Sequence, residues 1–347
     1  MTNMKTKITT GCLLGLLSAT LLAADGVEDF KSALTAKLAS FKESAPTVIP
    51  GKDGWLFLPG ELRHLSVGPF WGEAASKVSK ATNPAAADPL PAILDFKAQL
   101  DKAGVALIMV PVPAKSAIYP EKIVDGAINS PTQRLDAADA EFNTILKKNG
   151  IDVVDLAPLF LKARSEHPEE LLYSKEDTHW SGYGIRIAAD EIAKKLSVLP
   201  GLTGKPHAKF TGTSQTINVV GDLASQPGDA KSSPETLVLT KVSDANGAPV
   251  ASFRQSPIVL LGDSHNLIYS IGEDMLATGC GLPENLALKC GISLDVVAVR
   301  GSGATPARMN LARRGDNLAG KKVIVWCFTV REFTEGQGWR RVPVIRP

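Results

Sequence analysis

Five short strand-like runs, separated by stretches of helical periodicity, leave this chain few architectures. The runs are Val105–Val110, Ile151–Leu156, Ile258–Leu261, Ser293–Val299 and Val323–Phe328. Helical spacing covers Val27–Glu43, Pro91–Lys102, Pro131–Lys148, Gly184–Leu196, Leu267–Leu276 and Pro306–Arg313. A strand apolar along its whole length must be covered on both faces. Strands alternating with helices therefore predict an α/β fold, a three-layer sandwich with a central parallel sheet and helices on both sides. Such sheets place their sites beyond the carboxyl ends of the strands. Only about residues 208–253 break the pattern, being rich in Gly, Ser, Thr and Asn with short β-prone pieces, and they predict a β-rich insertion within one domain spanning residues 25–347.

The amino-terminal residues read differently. Lys5 and Lys7 precede an apolar run from Cys12 to Ala24, which ends in small residues before Asp25. This is the pattern of a secretory signal peptide over residues 1–24, cleaved near Ala23 or Ala24, because the run is shorter than the roughly 20 residues that span a bilayer. Export leads to an oxidising compartment, where Cys280 and Cys290 are expected to form a disulfide. Cys327 lies in an apolar strand and is expected to be a packed thiol. With 38 basic and 36 acidic residues there is no sustained field for nucleic acid. The histidines at 64, 167, 179, 207 and 265 lack ligand spacing, so neither a metal nor a cofactor is expected.

The sharpest chemical signal is Ile258-Val-Leu-Leu-Gly-Asp-Ser-His-Asn266, a buried strand running into Gly262-Asp263-Ser264. A serine at this junction stands at the sheet's carboxyl edge, with backbone N–H groups, its own included, placed for an oxyanion. The same residues would also serve as a plain helix cap. A second segment, Asp177-Thr-His-Trp-Ser-Gly-Tyr-Gly184, supplies a carboxylate two residues before a histidine. A serine hydroxyl is a weak nucleophile until a base removes its proton, and that base needs an orienting partner. Ser264, His179 and Asp177 are accordingly the expected catalytic triad, with Trp180 packed under His179. His265 and His64 are given no proton-transfer role.

The Gly-Asp-Ser junction resembles the first block of the SGNH hydrolases, which usually carry Asp-x-x-His after the serine. Here Asp177-Thr-His179 precedes it. That order resembles the alginate O-acetyltransferase family of periplasmic polysaccharide acetyltransferases, the AlgJ and AlgX type. The likeness extends to Gly51-Lys-Asp-Gly-Trp-Leu-Phe57, Glu61-Leu-Arg-His-Leu65, Phe70-Trp-Gly72 and Pro111-Val-Pro-Ala-Lys115, across most of residues 45–335. It implies an SGNH-like fold and passage of an acetyl group through an acyl-serine to a hydroxyl of an exopolysaccharide, alginate or similar. It also implies a periplasmic setting at the inner membrane, a membrane-bound O-acyltransferase as acetyl donor, and other polysaccharide-secretion proteins as partners. No carbohydrate-binding domain is expected after Trp339, which favours the AlgJ arrangement, and the usual glycine and asparagine blocks of an SGNH oxyanion hole are not identifiable.

Two residues near the expected site are candidates for acceptor binding. Arg300 follows the strand ending at Val299 and suits a uronate carboxylate, or equally a structural salt bridge. Tyr269, five residues past Ser264, either lines the pocket or packs. Competing functions are an acetylesterase of the same fold, and a non-catalytic polysaccharide-binding component of the secretion machinery.

Overall fold

The computed structural model describes residues 26–41, 46–126, 130, 132–202, 208–225 and 234–346. The expected signal peptide lies outside them. The strands in chain order are β1 (Ile49–Pro50), β2 (Leu56–Phe57), β3 (Ala106–Val112), β4 (Asp152–Val153), β5 (Phe210–Val219), β6 (Glu235–Asp244), β7 (Ile258–Gly262), β8 (Asp295–Ala298) and β9 (Val323–Thr329). Five of these form a parallel sheet in the order β4-β3-β9-β7-β8. Every residue of β7 and β9 is buried, as is all of β3 except its first. That double-sided burial is what their unbroken apolar runs require.

Helices fill the layers on this sheet, among them Pro89–Lys102, Leu156–Glu166, Gly182–Ser197 and Thr305–Arg313. The first starts as its sequence dictates: Asp88 accepts a hydrogen bond from the Leu90 N–H at 2.9 Å, and Pro89 occupies the first helical position, where no donor is lost. An aromatic cluster seals one end of the core. Phe333 stacks on Phe70 with ring centroids 4.8 Å apart, and Trp339 lies 5.5 Å from Phe333. Rings of this size bury about 150–250 Å² each, so the cluster contributes heavily to the apolar burial that stabilises the domain.

The β-rich insertion is a two-stranded antiparallel hairpin, with Phe210 opposite Asp244 and Val219 opposite Glu235. Leu237 and Leu239 form the face it turns to the core, and Val242 is buried on the opposite side. The carbonyl of Val238 passes so close to Gly182 that a Cβ there would lie 2.2 Å from it, so the tight docking of the hairpin on this helix requires glycine.

Three expectations change. The helix predicted over Leu267–Leu276 does not form. Two 3-10 turns stand there, Ser264–Asn266 and Glu273–Met275, and positive φ at Tyr269 (58°), Gly272 (80°) and Leu276 (70°) turns the chain away from helix. The strand predicted over Ile151–Leu156 shrinks to Asp152–Val153, because Leu156 already begins the next helix. The Cys280–Cys290 disulfide is absent, and Cys280 is a free, buried thiol whose Sγ faces Gln215 Oε1 at 3.4 Å. The two cysteines flank and end the nine-residue helix Leu282–Cys290. A helix of that length rises about 13 Å, whereas a disulfide needs Cα atoms within about 7 Å.

Candidate active site

The carboxyl end of β7 delivers the serine. Gly262 pairs with Cys327 of β9, and a Cβ on Gly262 would lie 1.7 Å from the Cys327 carbonyl oxygen. Only glycine permits this approach. Asn266 pins the turn by donating from Nδ2 to the same carbonyl at 2.8 Å. The Asp263 carboxylate joins the ends of two strands, accepting the N–H of His265 at 2.9 Å and that of Thr329 at 2.8 Å. Its role is architectural, which leaves Ser264 as the residue of the motif whose side chain projects to the edge. The Ser264 backbone N–H has no acceptor among the described residues and is available to an oxyanion.

The histidine comes from the segment before helix Gly182–Ser197. Ser181 caps that helix, its Oγ accepting from the N–H groups of Tyr183 (3.1 Å) and Gly184 (3.3 Å). Immediately before it, Trp180 bridges to Tyr173 and so closes the loop that carries Asp177 and His179. The Asp177 Oδ1 atom accepts both the His179 backbone N–H at 2.9 Å and the His179 Nδ1–H at 2.6 Å. The carboxylate thus reaches the ring by a local turn onto the His179 backbone.

His179 Nε2 lies 2.8 Å from Ser264 Oγ, so the structure brings the hydroxyl, the imidazole and the carboxylate into one chain of hydrogen bonds. Ser264 retains 7% exposure while Asp177 retains 1%, so the chain runs from a narrow opening into the interior. Burial pushes the Asp177 carboxyl up, but hydrogen bonds from His179 and the Asp222 N–H, with the imidazole charge, outweigh it and hold the group at about 2. Burial lowers His179, yet the Asp177 bond and the charges of Asp177 and Asp222 leave it raised above the ordinary histidine value. A histidine so placed is a stronger base than usual.

Sequence reasoning missed three contributors. Asp222 donates its N–H to Asp177 Oδ2 at 2.9 Å, while its carboxylate accepts the N–H and Oγ–H of Thr178, both at 2.7 Å. The signal for it is Gly221, where a Cβ would lie 2.1 Å from the Glu176 carbonyl oxygen. Lys115, fully buried, ends the Pro-Val-Pro-Ala-Lys run against the same loop. Arg331, two residues past β9, bonds Thr329 Oγ1 at 3.3 Å, and its charge works against protonation of His179. Asp177, His179 and Asp222 also form a group whose ligand-type atoms lie within 4.8 Å of one another. Their hydrogen bonds to one another and to Thr178 already account for the arrangement.

The remaining candidates take other roles. Arg300 makes a bidentate pair with Asp274, at 2.6 and 2.8 Å, with both side chains about half exposed. Tyr269 is completely buried, so it packs and does not line an opening. His265 is the ring that meets His179, with centroids 4.9 Å apart, and Trp180 meets His265 edge-on at 5.3 Å, so Trp180 supports His179 through His265. His64 is a buried structural residue, with Nε2 2.9 Å from Asp139 Oδ1 and Nδ1 3.0 Å from Thr334 Oγ1.

Comparison with known proteins agrees with this architecture. Residues 48–330 match the family model described as the SGNH hydrolase-like domain of acetyltransferase AlgX. A probable alginate O-acetylase AlgJ from Pseudomonas syringae is 31% identical over 193 residues, which are 55% of this chain and 44% of that protein. The O-acetyltransferase domain of Pseudomonas putida AlgJ superposes with a TM-score of 0.61 at 21% identity, covering 83% of this chain and 92% of that one. Pseudomonas aeruginosa AlgX gives 0.58 at 18% identity, over 81% of this chain and 61% of that one. The chain spans about half the length of the first curated relatives it matches. Among the described residues, no helix is long and apolar enough to cross a membrane.

Proposed function

This chain belongs to the family of SGNH hydrolase-like acetyltransferase domains that includes AlgX, and on that premise we propose that it is a periplasmic O-acetyltransferase acting on an exopolysaccharide, alginate or a similar polymer. The observation that carries the reading is the 2.8 Å contact between Ser264 Oγ and His179 Nε2, backed by Asp177 at 2.6 Å.

In this reading His179 removes the Ser264 proton as Oγ attacks the acetyl carbonyl carbon of the donor. The resulting oxyanion is held by the Ser264 N–H, and collapse expels the donor's alcohol or thiol, which takes the proton from His179. A sugar hydroxyl then attacks the acetyl-serine, giving its proton to neutral His179, and departure of Oγ with that proton restores the enzyme. Asp177 keeps the Nδ1–H tautomer throughout, so that Nε2 stays an acceptor towards the serine. A membrane-bound O-acyltransferase is the proposed donor of the acetyl group, and other polysaccharide-secretion proteins are the proposed partners. Arg300 is the proposed contact for a uronate carboxylate. Its exposed pair with Asp274 contributes no more than about 1 kcal/mol and is readily exchanged for an acceptor anion.

The test uses an acetylated activated ester with an oligouronate acceptor, read by mass spectrometry. Ser264-dependent gain of an acetyl group on the sugar is the expected result. Acetate release with no acetylated sugar would make the chain an esterase. If no acetyl-serine forms and Ser264→Ala leaves polymer acetylation in the cell unchanged, the non-catalytic binding role replaces this one.

A further inference from the structure

We infer that Lys115 is a positioning residue for the reaction, its buried ammonium clamping the backbone of the loop that aims Asp177 and His179 at Ser264. The inference rests on the triad reading above. Lys115 follows the carboxyl end of β3 and opens the short helix Lys115–Ile118. Its side chain has no exposure to solvent. Nζ donates to the carbonyl oxygens of Ser174 (3.2 Å), Lys175 (3.1 Å) and Asp177 (2.7 Å). An ammonium has three N–H donors, so all of them are spent on one four-residue stretch of backbone. Among the described residues no carboxylate lies within 4.0 Å of this nitrogen, so the group is not half of an ion pair.

Burying an ammonium is unfavourable, and an apolar side chain of similar length would fill the same space at less cost. What the ammonium adds is a fixed position for the Asp177 carbonyl, in the residue whose carboxylate orients the imidazole. The surroundings are built for it. Trp55 and Phe57 present ring faces at 5.9 and 5.3 Å, and the Glu61 carboxylate from helix Pro59–Ser66 accepts the Lys115 backbone N–H. The other charged groups acting on it are Asp177 in the loop itself, Asp222 after β5 and Glu235 at the start of β6. Glu235 also grips the loop, accepting the Lys175 N–H at 2.9 Å. The loop is thus held by carbonyls on Lys115 and by N–H groups on Glu235 and Asp222, and the reactive geometry follows from both.

The clamp works only while charged, because a neutral amine has one donor fewer. Burial lowers the Lys115 ammonium to about 8, despite the nearby carboxylates. An unfolded lysine titrates near 10.4, so between those values the unfolded chain binds more protons than the folded one. Stability from this group therefore increases as pH rises through that window. Loss of the clamp at alkaline pH should appear as lost reactivity in a protein that stays folded.

The experiment follows acetylation of Ser264 by 4-nitrophenyl acetate, read by mass spectrometry of the intact chain from pH 6 to 10, with circular dichroism in parallel. Ser264→Ala is the control for labelling. Lys115→Met is expected to slow acetylation about 100-fold per folded molecule, the order of loss for a misplacement of about 1 Å, with the ester's KM little changed. It should also remove the fall in rate expected of the wild type above pH about 8. A rate within threefold of the wild type, with the same alkaline fall, would overturn the proposal. If Lys115→Met does not fold, the wild type carries the test, with Lys115 followed by 13C NMR of its Cε: a rate that stays flat while that ammonium loses its proton in folded protein refutes the clamp. If the wild type is not labelled at Ser264 at all, the triad reading fails first, and the clamp fails with it.

Discussion

Replacing Asp177 with asparagine exchanges one oxygen for an NH₂ group and leaves the volume unchanged, yet three donors now converge on that carboxylate. They are His179 Nδ1 at 2.6 Å, the His179 N–H at 2.9 Å and the Asp222 N–H at 2.9 Å. An amide has only one acceptor atom. If its oxygen faces His179, the NH₂ meets the Asp222 N–H, donor against donor. If the amide flips, His179 must become the acceptor at Nδ1, and its proton moves to Nε2, where it faces Ser264 and cannot accept. Loss of the correct tautomer in a Ser-His-Asp site is known to cost about 10⁴-fold in kcat, and here roughly 10³–10⁴-fold is expected, about 4–5.5 kcal/mol. His179 must be neutral to take the proton, so activity rises with pH through its pKa. Asp177 keeps that pKa above the ordinary value of about 6.5, and the acid limb should move down in Asp177→Asn. The carboxyl, held at about 2 when folded and near 3.9 when unfolded, also contributes about 2–3 kcal/mol of stability. That contribution is present above pH 4 and lost as pH falls through 2, so the stability gap between the two proteins should close in acid. The assays are rates of Ser264 acetylation against pH and urea unfolding at pH 6 and pH 3. Acetylation within tenfold of the wild type, with an unmoved acid limb, would refute the reasoning.

Two further results are expected. Gly221→Ala should slow acetylation more than tenfold and destabilise the protein by about 1–3 kcal/mol in urea unfolding, because its Cβ would lie 2.1 Å from the Glu176 carbonyl oxygen and 2.7 Å from the Asp177 nitrogen. Cys280 should react with a maleimide in denaturant without any reductant, and dithiothreitol should leave Tm unchanged, since Cys280 is a free thiol.

The middle of the sheet was legible because β3, β7 and β9 are buried on both faces, which leaves in each an apolar run that no polar residue interrupts up to its last residues. The serine was legible for the same reason, standing where such a run ends in Gly262 and Asp263. The carboxylate–imidazole pair could be named from its spacing, but its geometry depends on an Asp177 turn that spacing does not encode. Asp222 and Lys115 were hidden because each acts on the loop through backbone atoms, from 45 and 62 residues away in the chain. Such contacts leave no periodicity or motif, only a glycine at 221 or a lysine in an apolar setting. The cysteine pairing failed because a count of residues between two cysteines does not reveal that a rigid helix holds them apart. The helix expected after Ser264 failed because its apolar spacing is satisfied by turns, with Tyr269 buried at positive φ.

The sheet order has a consequence for how this protein is put together. β9 is the last strand to be synthesised and the middle one in space, lying between β3 and β7. His179 follows the part of the chain that builds β3 and β4, whereas Ser264 closes β7 on the other side. Base and nucleophile therefore belong to two halves that share no sheet hydrogen bond until residues 323–329 wedge between them. A growing or truncated chain lacking this keystone carries both groups without the strand that joins their two halves of the sheet.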